Sequence, residues 1–201
     1  MSFGKRVFDI ALALSLGLLL SPVIVILALL VLIRDGRPVF FLSERMKTPE
    51  HGFRLVKFRT MTVAGSDSGV SGGDKANRIT RSGRFLRRSR LDELPQLWNI
   101  LKGDMSFVGP RPPLRLYVER YPELYREVLR NRPGVTGLAT LTFHAHEARL
   151  LTSCKTPEAT DAVYSRRCVP RKARLDLLYQ KNSNLCFDAK ILYLTLRKTL
   201  R

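Results

Sequence analysis

Histidine and cysteine are scarce in this chain, and each occurs only three times in 201 residues. Cys154, Cys168 and Cys186 form no Cys-x-x-Cys pair and are odd in number, so a disulfide framework is not indicated. With so few thiols and imidazoles, a zinc framework is not expected either. The cysteines are therefore expected to be reduced thiols, as in cytosolic proteins.

Acidic residues are also few, with 17 Asp and Glu against 35 Lys and Arg. The formal net charge of +18 and the pI of about 10.6 indicate a polyanionic partner. That partner could be a nucleic acid, an anionic membrane surface or a phosphorylated substrate. The length allows one domain with a core, or a membrane element joined to a smaller domain.

Charged residues are absent from residues 10–33, which consist mainly of Leu, Ile, Val and Ala. As a helix rising roughly 1.5 Å per residue, this stretch reaches about 36 Å, enough to cross a bilayer core of about 30 Å. Ser21 and Pro22 lie near its middle. A proline there removes the hydrogen bond to the Leu18 carbonyl, which predicts a kink or a break in the helix.

Basic residues flank the apolar stretch on both sides, at Lys5, Arg6, Arg34 and Arg37. A spanning helix usually shows excess cations on one side only, so this pattern favours the cytoplasm for both ends. Prolines also occur in many spanning helices, where neighbouring groups repair the kink. From these features alone, a spanning helix and a re-entrant helix both remain open.

Two adjacent carboxylates, Asp92 and Glu93, stand where the sequence predicts the start of a helix. Pro95 fits a first helical turn, apolar residues then recur with helical spacing up to Leu101, and Lys102-Gly103 is a stop pattern. Asp92 would then be kept ionised by the positive end of the helix dipole. Such a carboxylate can cap the helix, bind a metal or attack an electrophile.

Arginines crowd the sequence before this pair, and one more follows in a Gly-Pro-Arg-Pro-Pro turn. They are Arg78, Arg81, Arg84, Arg87, Arg88, Arg90 and Arg111. Guanidinium groups hold phosphate oxygens, while a carboxylate carries Mg²⁺ or attacks phosphorus, so the combination suits phosphoryl chemistry. Contacts to nucleic acid or to lipid headgroups would explain the arginines equally well.

Further elements are predicted from local patterns. Strands are expected at residues 38–42 and 53–59, a linker or mobile lid at residues 65–74, and a pair of helices within residues 114–131 that restarts at Pro122.

An alternating pattern predicts a strand at residues 136–146 with His144 and His146 on its polar face. No third ligand suits a metal site there, and the role of Glu147 stays open. A C-terminal helix is expected at residues 187–201, packed in the core or lying on the membrane.

Taken together, several of these segments resemble the bacterial sugar transferase family, the small monotopic phosphoglycosyl transferases that act on polyprenyl phosphate. The matching segments occur in the family's order and cover nearly the whole chain. They are Ser21-Pro22 in the apolar stretch, Lys57-Phe-Arg-Thr-Met61, Leu91-Asp-Glu-Leu-Pro-Gln96, Lys102-Gly-Asp-Met-Ser-Phe-Val-Gly-Pro-Arg-Pro112, Arg132-Pro-Gly-Val-Thr-Gly137, and Leu175-Asp-Leu-Leu-Tyr179 before Asp188. The chain departs from the family pattern after Gly137, which leaves the sugar and nucleotide preference undefined.

The resemblance implies an α+β fold, mostly helical with a small β-hairpin or sheet and with amphipathic helices at the membrane surface. Residues 1–37 would form a re-entrant membrane anchor that breaks at Ser21 and Pro22, and residues 38–201 a catalytic domain on the cytosolic face. Asp92 would be the nucleophile and Glu93 a ligand of Mg²⁺, with Mn²⁺ as the alternative ion. Contacts to phosphate or substrate are implied for Lys57, Arg59, Arg87, Arg88, Arg111, Asp176 and Asp188.

The implied reaction moves a phosphosugar from a nucleoside-diphosphate sugar, expected to be a UDP-sugar, to polyprenyl phosphate through a covalent aspartyl intermediate. It would start the assembly of a bacterial glycan or exopolysaccharide at the cytoplasmic face of the inner membrane. The expected partners are the nucleotide sugar, polyprenyl phosphate and membrane lipids, with no nucleic acid, and a homodimer is compatible with the sequence. The alternative is a membrane-anchored basic protein that binds nucleic acid or acts as a scaffold.

Overall fold

The computed structural model describes residues 2–63, 69–70 and 72–199. Its helices are α1 (Phe3–Asp35), α2 (Arg81–Arg88), α3 (Gln96–Lys102), α4 (Arg115–Arg120), α5 (Pro122–Val128), α6 (Leu138–Thr152), α7 (Pro157–Val163), α8 (Val169–Asn182) and α9 (Leu185–Thr199). Its strands are β1 (Phe40–Met46), β2 (Gly52–Phe58), β3 (Ser106–Val108) and β4 (Gly134–Thr136). The predicted mostly helical α+β class with small sheets is confirmed.

The apolar stretch forms one helix, α1, that continues through Pro22. The Leu18 carbonyl, which loses its usual partner because Pro22 has no N–H, instead accepts a hydrogen bond of 2.8 Å from the Ser21 hydroxyl. This replacement bond explains how the helix passes the proline. By length and composition α1 could cross a membrane, but a two-helix hairpin is not confirmed.

Both halves of α1 pack against the same body of the protein. In the first half, Ala13 is fully buried with Ile100 of α3 and Ile191 of α9. In the second half, Val31 is fully buried with Phe58 of β2 and Leu86 of α2. Between these anchor points α1 exposes large apolar side chains, namely Leu14, Leu18, Leu19, Val25 and Ile26.

Polar contacts near the start of α1 reinforce the first anchor point. The Arg6 guanidinium donates to the carbonyls of Ile100 (2.7 Å) and Leu101 (2.8 Å), which belong to the last turn of α3. The buried Asp9 carboxylate accepts from the backbone N–H of Phe107, at 3.2 Å. The helix is therefore fixed to the body by charge-assisted bonds as well as by apolar packing.

The predicted hairpin is confirmed, with β1 and β2 antiparallel. β1 begins at Phe40 and runs four residues beyond the predicted end at residue 42, and β2 occupies residues 52–58. In the register Phe41 faces Lys57 and Arg45 faces Phe53, so these side chains share one face of the hairpin. This face carries both buried apolar residues and cations.

The helix predicted to start at Asp92 begins later, at Gln96. Leu91–Glu93 is a separate 3₁₀ turn, and Pro95 caps α3. The reason is local, because Pro95 has no N–H to bond the Leu91 carbonyl, and the N–H of Leu94 bonds that carbonyl instead. The predicted stop is confirmed, since Gly103 ends α3 with a left-handed φ of 88°.

The predicted strand at residues 136–146 is wrong, because Leu138–Thr152 is helix α6 and only Gly134–Thr136 forms a strand, parallel to β3. Ala139, Phe143 and Leu151 are buried, and their separations of four and eight residues place them on one helical face. Tertiary burial of this face outweighs the short alternating pattern.

Two further predicted helical elements agree with the structure, whereas the predicted linker or lid is only partly described. The helix pair restarts at Pro122, where α5 follows α4. The C-terminal helix is α9, Leu185–Thr199, and residues 200–201 lie outside the described residues. Of the predicted linker or lid at 65–74, residues 65–68 and 71 also lie outside them, and Gly73–Arg78 is a 3₁₀ helix. All three cysteines are unpaired.

Candidate active site

A cavity of about 460 Å³ contains most of the residues that the sequence predicted for the site. Those that line it are Lys57, Arg87, Asp92, Glu93, Arg111 and Asp176. They come from the β1–β2 hairpin, α2, the 3₁₀ turn before α3, the turn after β3, and α8. The fold therefore gathers residues that are 119 positions apart, from Lys57 to Asp176, around one space.

The carboxylate pair is held against the hairpin by Asn99 of α3. The Asn99 side chain donates to the Arg54 carbonyl (2.8 Å) and accepts from the N–H of Val56 (3.0 Å), so it occupies the edge of β2. Just before the pair, Arg90 has a φ of 60°, which is uncommon for a residue with a side chain. The strained residue redirects the chain into the short turn that presents Asp92 and Glu93.

Glu93 is paired with two arginines. Its Oε1 lies 3.1 Å from Arg111 and 3.8 Å from Arg90. Burial alone would raise the pKa of Glu93, but the two guanidinium groups outweigh it and hold that pKa below its usual value. Glu93 is therefore a carboxylate at neutral pH and can act as a ligand for a cation.

Arg111 lies in the turn after β3, at the point where two glycine-containing segments cross. The N–H of Gly109 bonds the Thr136 carbonyl at 2.9 Å, and the N–H of Gly134 bonds the Pro110 carbonyl at 2.8 Å. A Cβ on Gly134 would lie 2.1 Å from the Gly109 nitrogen, so only glycine permits this close approach. The crossing fixes the rigid turn that carries Arg111.

Asp92 is more deeply buried than its neighbour, with 7% of its surface exposed. Burial, with help from the adjacent Glu93, raises the pKa of Asp92, while Lys57, Arg87 and Arg111 oppose the rise. The prediction that a helix dipole keeps Asp92 ionised is thus wrong, because the residue lies in a 3₁₀ turn of three residues ahead of α3. The surrounding cations are what favour its charged form.

The hairpin supplies the cationic side of the cavity through Lys57 and Arg45. Burial lowers the pKa of Lys57 to about 8 and that of Arg45 to about 10. Arg45 was not predicted as a site residue, because it lies beyond the predicted end of the strand at residue 42. Its place on the inward face of β1 follows from the register of the folded hairpin.

The opposite wall is formed by α6 and α8. Lys172 donates to Glu147 (3.1 Å) and to the Tyr164 hydroxyl (3.2 Å). Burial raises the pKa of Asp176 to about 7, and Lys172 opposes the rise. Glu147, Tyr164 and Lys172 were not predicted as site residues.

The two histidines near the site separate because α6 is a helix. His144 lines the cavity with Glu147, three residues on, whereas the His146 ring lies 5.3 Å from the ring of Phe143. Burial, together with Arg90 and Arg111, lowers the pKa of His144 to about 4. His144 is therefore a neutral imidazole at neutral pH.

Three of the predicted contacts lie outside this cavity. Arg59 donates to the carbonyls of Asp35 and Gly36, and so binds the end of α1. Arg88 lines a neighbouring groove. Asp188 is almost fully buried, where it pairs with Lys5 of α1 and accepts a 2.6 Å hydrogen bond from the Tyr179 hydroxyl.

The neighbouring groove, of about 870 Å³, is mostly apolar. It runs beside α1, α3 and α9 and shares four residues with the cavity, namely Arg87, Arg90, Glu93 and His144. Its apolar side chains include Leu16 and Leu20 of α1 and Leu94, Leu97 and Leu141. The carboxylate pair thus lies where a charged cavity meets an apolar groove next to the exposed apolar helix.

The residues present can hold Mg²⁺ only with help from a ligand. Among the described residues no group of three or more His, Cys, Asp and Glu side chains could bind a metal. Mg²⁺ in phosphoryl-transfer sites is usually held by one or two carboxylates, substrate phosphates and water. Glu93, with Asp92 beside it, fits that donor set.

Comparison with known proteins gives a match to a family described as "Bacterial sugar transferase" over residues 1–201. The chain is 35% identical to a UDP-N-acetylgalactosamine-undecaprenyl-phosphate N-acetylgalactosaminephosphotransferase of Aeromonas hydrophila, over 99% of this chain and 44% of that protein. It is 35% identical to a UDP-glucose:undecaprenyl-phosphate glucose-1-phosphate transferase of Escherichia coli (strain K12), over 96% and 39%. It is 37% identical to the uncharacterized sugar transferase EpsL of Bacillus subtilis (strain 168), over 98% and 87%. The chain thus spans less than half the length of the first two relatives.

Proposed function

Since this chain belongs to the bacterial sugar transferase family, we propose that it transfers a phosphosugar from a UDP-sugar to a polyprenyl phosphate such as undecaprenyl phosphate. The observation that carries this proposal is the position of Asp92 and Glu93, inside a cationic cavity that adjoins an apolar groove. A diphosphate suits the first space and a polyprenyl chain suits the second. The names of the Aeromonas and Escherichia relatives support both substrates.

The donor binds first, with its diphosphate among Lys57, Arg87 and Arg111. These cations neutralise the negative charge that would otherwise repel an incoming carboxylate. Glu93 would hold Mg²⁺ together with phosphate oxygens, and the ion, when bound, supplies further charge neutralisation. Glu93 itself is kept anionic by Arg111 and Arg90.

Asp92 then attacks the sugar-linked phosphorus. A bond forms between an Asp92 oxygen and that phosphorus, and the bond to the bridging oxygen breaks, so the nucleoside monophosphate leaves with the electron pair. The product is a phosphosugar joined to Asp92 as an acyl phosphate. Burial raises the pKa of Asp92, and Lys57, Arg87 and Arg111 oppose that rise and so favour the anionic form that attacks.

A phosphate oxygen of polyprenyl phosphate attacks the same phosphorus in the second step. The new bond forms on the side of the phosphorus opposite Asp92, the bond between the phosphorus and the Asp92 oxygen breaks, and the carboxylate is restored. The groove lined by Leu16, Leu94 and Leu97 can hold the first part of the polyprenyl chain, and Arg88 and Arg90 lie on its border. Two in-line displacements at one site replace a single difficult transfer.

The membrane arrangement that fits this chemistry is a re-entrant α1 in an anchor of residues 1–37, with residues 38–201 as the catalytic domain on the cytoplasmic face of the inner membrane. Support comes from the two anchor points of α1, because Lys5 and Arg6 near its start and Val31 near its end contact one body. A straight helix of 33 residues would be about 50 Å long, and its ends could not both meet that body across a bilayer.

Exposed apolar side chains on short helices provide a membrane-facing surface around α1. They include Phe85 of α2, Trp98 of α3, and Tyr193 and Leu196 of α9. Arg84 and Arg88 on α2 and Arg197 and Lys198 on α9 lie close to them in sequence and suit anionic headgroups. We propose that these helices lie at the membrane surface.

The experiment that tests this function is release of nucleoside monophosphate from a panel of UDP-sugars by the purified protein in lipid nanodiscs. The expected result is release with at least one donor, together with formation of a lipid-linked phosphosugar only when polyprenyl phosphate is present. The Asp92→Asn protein is the matched control. Turnover of no donor by the native protein, or equal turnover by the Asp92→Asn protein, would contradict the proposal.

A further inference from the structure

Arg45 is a cation without a counter-ion inside the site. Its Nε is buried and has no hydrogen-bond partner, and among the described residues its guanidinium forms no ion pair. Burial is the main cost of this charge and repulsion by Arg111 adds to it, while the attraction of the Glu93 carboxylate, which forms no ion pair with Arg45, offsets only part of it. A buried charge is costly unless it is paired, so the position of Arg45 calls for an anion that comes from outside the chain.

The other three arginines of the cavity each have a polar partner, whereas Lys57 resembles Arg45. Arg111 and Arg90 both face the Glu93 carboxylate. Arg87 donates from its Nε to the Thr60 hydroxyl at 2.8 Å. Lys57 resembles Arg45, since among the residues that the structure describes no carboxylate forms an ion pair with its ammonium, which lies 5.4 Å from the centre of the Phe41 ring.

Arg45 and Lys57 also share a position in the fold. Both belong to the inward face of the hairpin, and both line the catalytic cavity and a smaller adjoining cavity of about 200 Å³. The described residues that line the smaller cavity include six cations, Arg45, Lys57, Arg59, Lys75, Arg78 and Arg87, and no carboxylate. The two hairpin cations thus stand between the carboxylate pair and a strongly electropositive space.

This geometry has a consequence for the first step of the reaction. When Asp92 attacks the sugar-linked phosphorus, negative charge collects on the bridging oxygen and then on the departing phosphate monoester. An in-line displacement places the leaving oxygen on the side of the phosphorus opposite Asp92. Cations on that side stabilise the charge as it develops and therefore accelerate the step.

We propose that Arg45, together with Lys57, forms the subsite for the phosphate that leaves with the nucleoside. Arg45 is a catalytic residue of the first step in this assignment, because it contacts the leaving phosphate. The second step, from the aspartyl phosphosugar to polyprenyl phosphate, follows after that phosphate has left. Its acceptor phosphate enters from the same side of the phosphorus, opposite Asp92, so Arg45 can assist both steps and the affinity for the nucleotide is the readout specific to the subsite. The inference rests on the proposed function, since it assigns one group of the donor to one part of the site.

The test compares Arg45→Met and Arg45→Lys with the native full-length protein in nanodiscs. Methionine keeps an apolar stem and removes the charge, whereas lysine keeps the charge and loses the forked hydrogen bonding. The matched control is Arg54→Met, an exposed arginine on the neighbouring strand of the same hairpin. Removal of an unpaired buried cation should leave the melting temperature of Arg45→Met equal to or above the native value.

Three quantities are measured: the affinity for uridine 5′-monophosphate, the rate of adduct formation on Asp92 by intact mass, and the rate at which a preformed adduct is discharged by polyprenyl phosphate. Arg45→Met should weaken the affinity and slow adduct formation, each by about ten- to a hundredfold, which is the range for losing a charged hydrogen bond. The losses of nucleotide affinity and of adduct-formation rate should be smaller in Arg45→Lys. Adduct discharge should slow in both variants by no more than adduct formation does, and Arg54→Met should match the native protein throughout.

The outcomes distinguish failure of the subsite assignment from failure of the proposed function. Normal adduct formation by Arg45→Met overturns the subsite assignment. Slower adduct formation with native affinity for uridine 5′-monophosphate also overturns it, because that result would indicate a structural role. A native protein that turns over no donor and forms no adduct contradicts the proposed function itself, and the assignment falls with it. Slower adduct formation together with weaker nucleotide binding supports the assignment.

Discussion

At the scale of single residues, Asp92 and Glu93 are neighbours in sequence whose pKa values are shifted in opposite directions. Glu93 faces two guanidinium groups, which keep its pKa low, while burial raises the pKa of Asp92. Adjacent carboxyl groups with diverging pKa values usually have different chemical roles. The lower-pKa group suits a permanent cation ligand, and the other becomes reactive when the diphosphate and its cation arrive.

The first prediction concerns Glu93→Gln, which keeps the size of the side chain and removes its charge. We expect turnover to fall by at least about a hundredfold, because the amide is a poor ligand for a hard cation. A readout independent of activity is the stabilisation of the protein by Mg²⁺ with uridine diphosphate, measured as a shift in melting temperature. That shift should disappear in Glu93→Gln and remain in Glu119→Gln, an exposed control on α4. Undiminished turnover of the native protein in EDTA would contradict the metal requirement.

The second prediction concerns Asp176, whose pKa in the folded protein is about 7. Between pH 4 and pH 7 the folded protein holds a proton that the unfolded chain has released, so stability falls as pH rises through this window. Asp176→Asn is neutral throughout and escapes the loss. Its gain in stability over the native protein should be larger at pH 8 than at pH 5, by about 1–3 kcal/mol.

Thermal melts at the two pH values measure this difference. Glu123→Gln, which changes an exposed carboxylate on α5, is the control and should show no such dependence. A gain for Asp176→Asn that is the same at both pH values would show that Asp176 is ionised in the folded protein.

At the scale of elements, α1 is the part of the fold that would join the membrane to the site in the proposed arrangement. Leu16 and Leu20 line the groove beside the carboxylate pair, and the first turns of the same helix fix α3 through Arg6. In that arrangement the depth of α1 in the bilayer would set the position of the site relative to the lipid headgroups. A re-entrant helix would keep both anchor points and the groove on one side of the membrane.

The third prediction tests this topology. Single cysteines are placed at positions 2 and 37 in a background without the native cysteines and labelled in intact cells with a membrane-impermeant reagent. Neither position should react from the periplasm. Pro22→Ala restores a helical hydrogen bond and should make a fraction of position 2 accessible, whereas Leu19→Ala in the same stretch should not. Periplasmic labelling of position 2 in the otherwise native chain would indicate a spanning helix.

The elements also show which parts of the secondary structure can be predicted from local sequence patterns. The hairpin, the helix pair that restarts at Pro122 and the stop at Gly103 depend on local residues, and local patterns predicted them. α6 was predicted as a strand, because its helical face becomes visible only when Phe143 and Leu151 are seen to be buried. The start of α3 lies four residues after the predicted start, because Pro95 has no N–H to bond the Leu91 carbonyl.

The residues of the candidate site also fall into two groups, those that the local sequence predicts and those that it does not. Asp92, Glu93 and Arg111 lie in segments that are recognisable by composition and by family resemblance. Arg45, Glu147 and Lys172 enter the site through strand register and helix packing, which depend on contacts between distant segments. Local patterns carry no information about such contacts, so these residues could be identified only in the folded chain.

At the scale of the whole molecule, the cations that give the net charge of +18 are distributed over several regions. Several cations converge on the cavity, others lie near the exposed apolar side chains around α1, and Lys5 forms an internal pair with Asp188. A charged cavity, an apolar groove and an apolar helix lie next to each other in that order. This arrangement suits an enzyme whose donor arrives from water and whose acceptor arrives from the membrane.

The most direct test of covalent catalysis is the intact mass of the protein after incubation with its UDP-sugar and Mg²⁺ in the absence of polyprenyl phosphate. We predict a mass increase equal to one phosphosugar, located on Asp92 by peptide mapping, and its loss when polyprenyl phosphate is added. Asp92→Asn should show no adduct and should lose several orders of magnitude in turnover. A native protein that turns over the donor without any adduct, together with normal turnover by Asp92→Asn, would contradict the two-step mechanism.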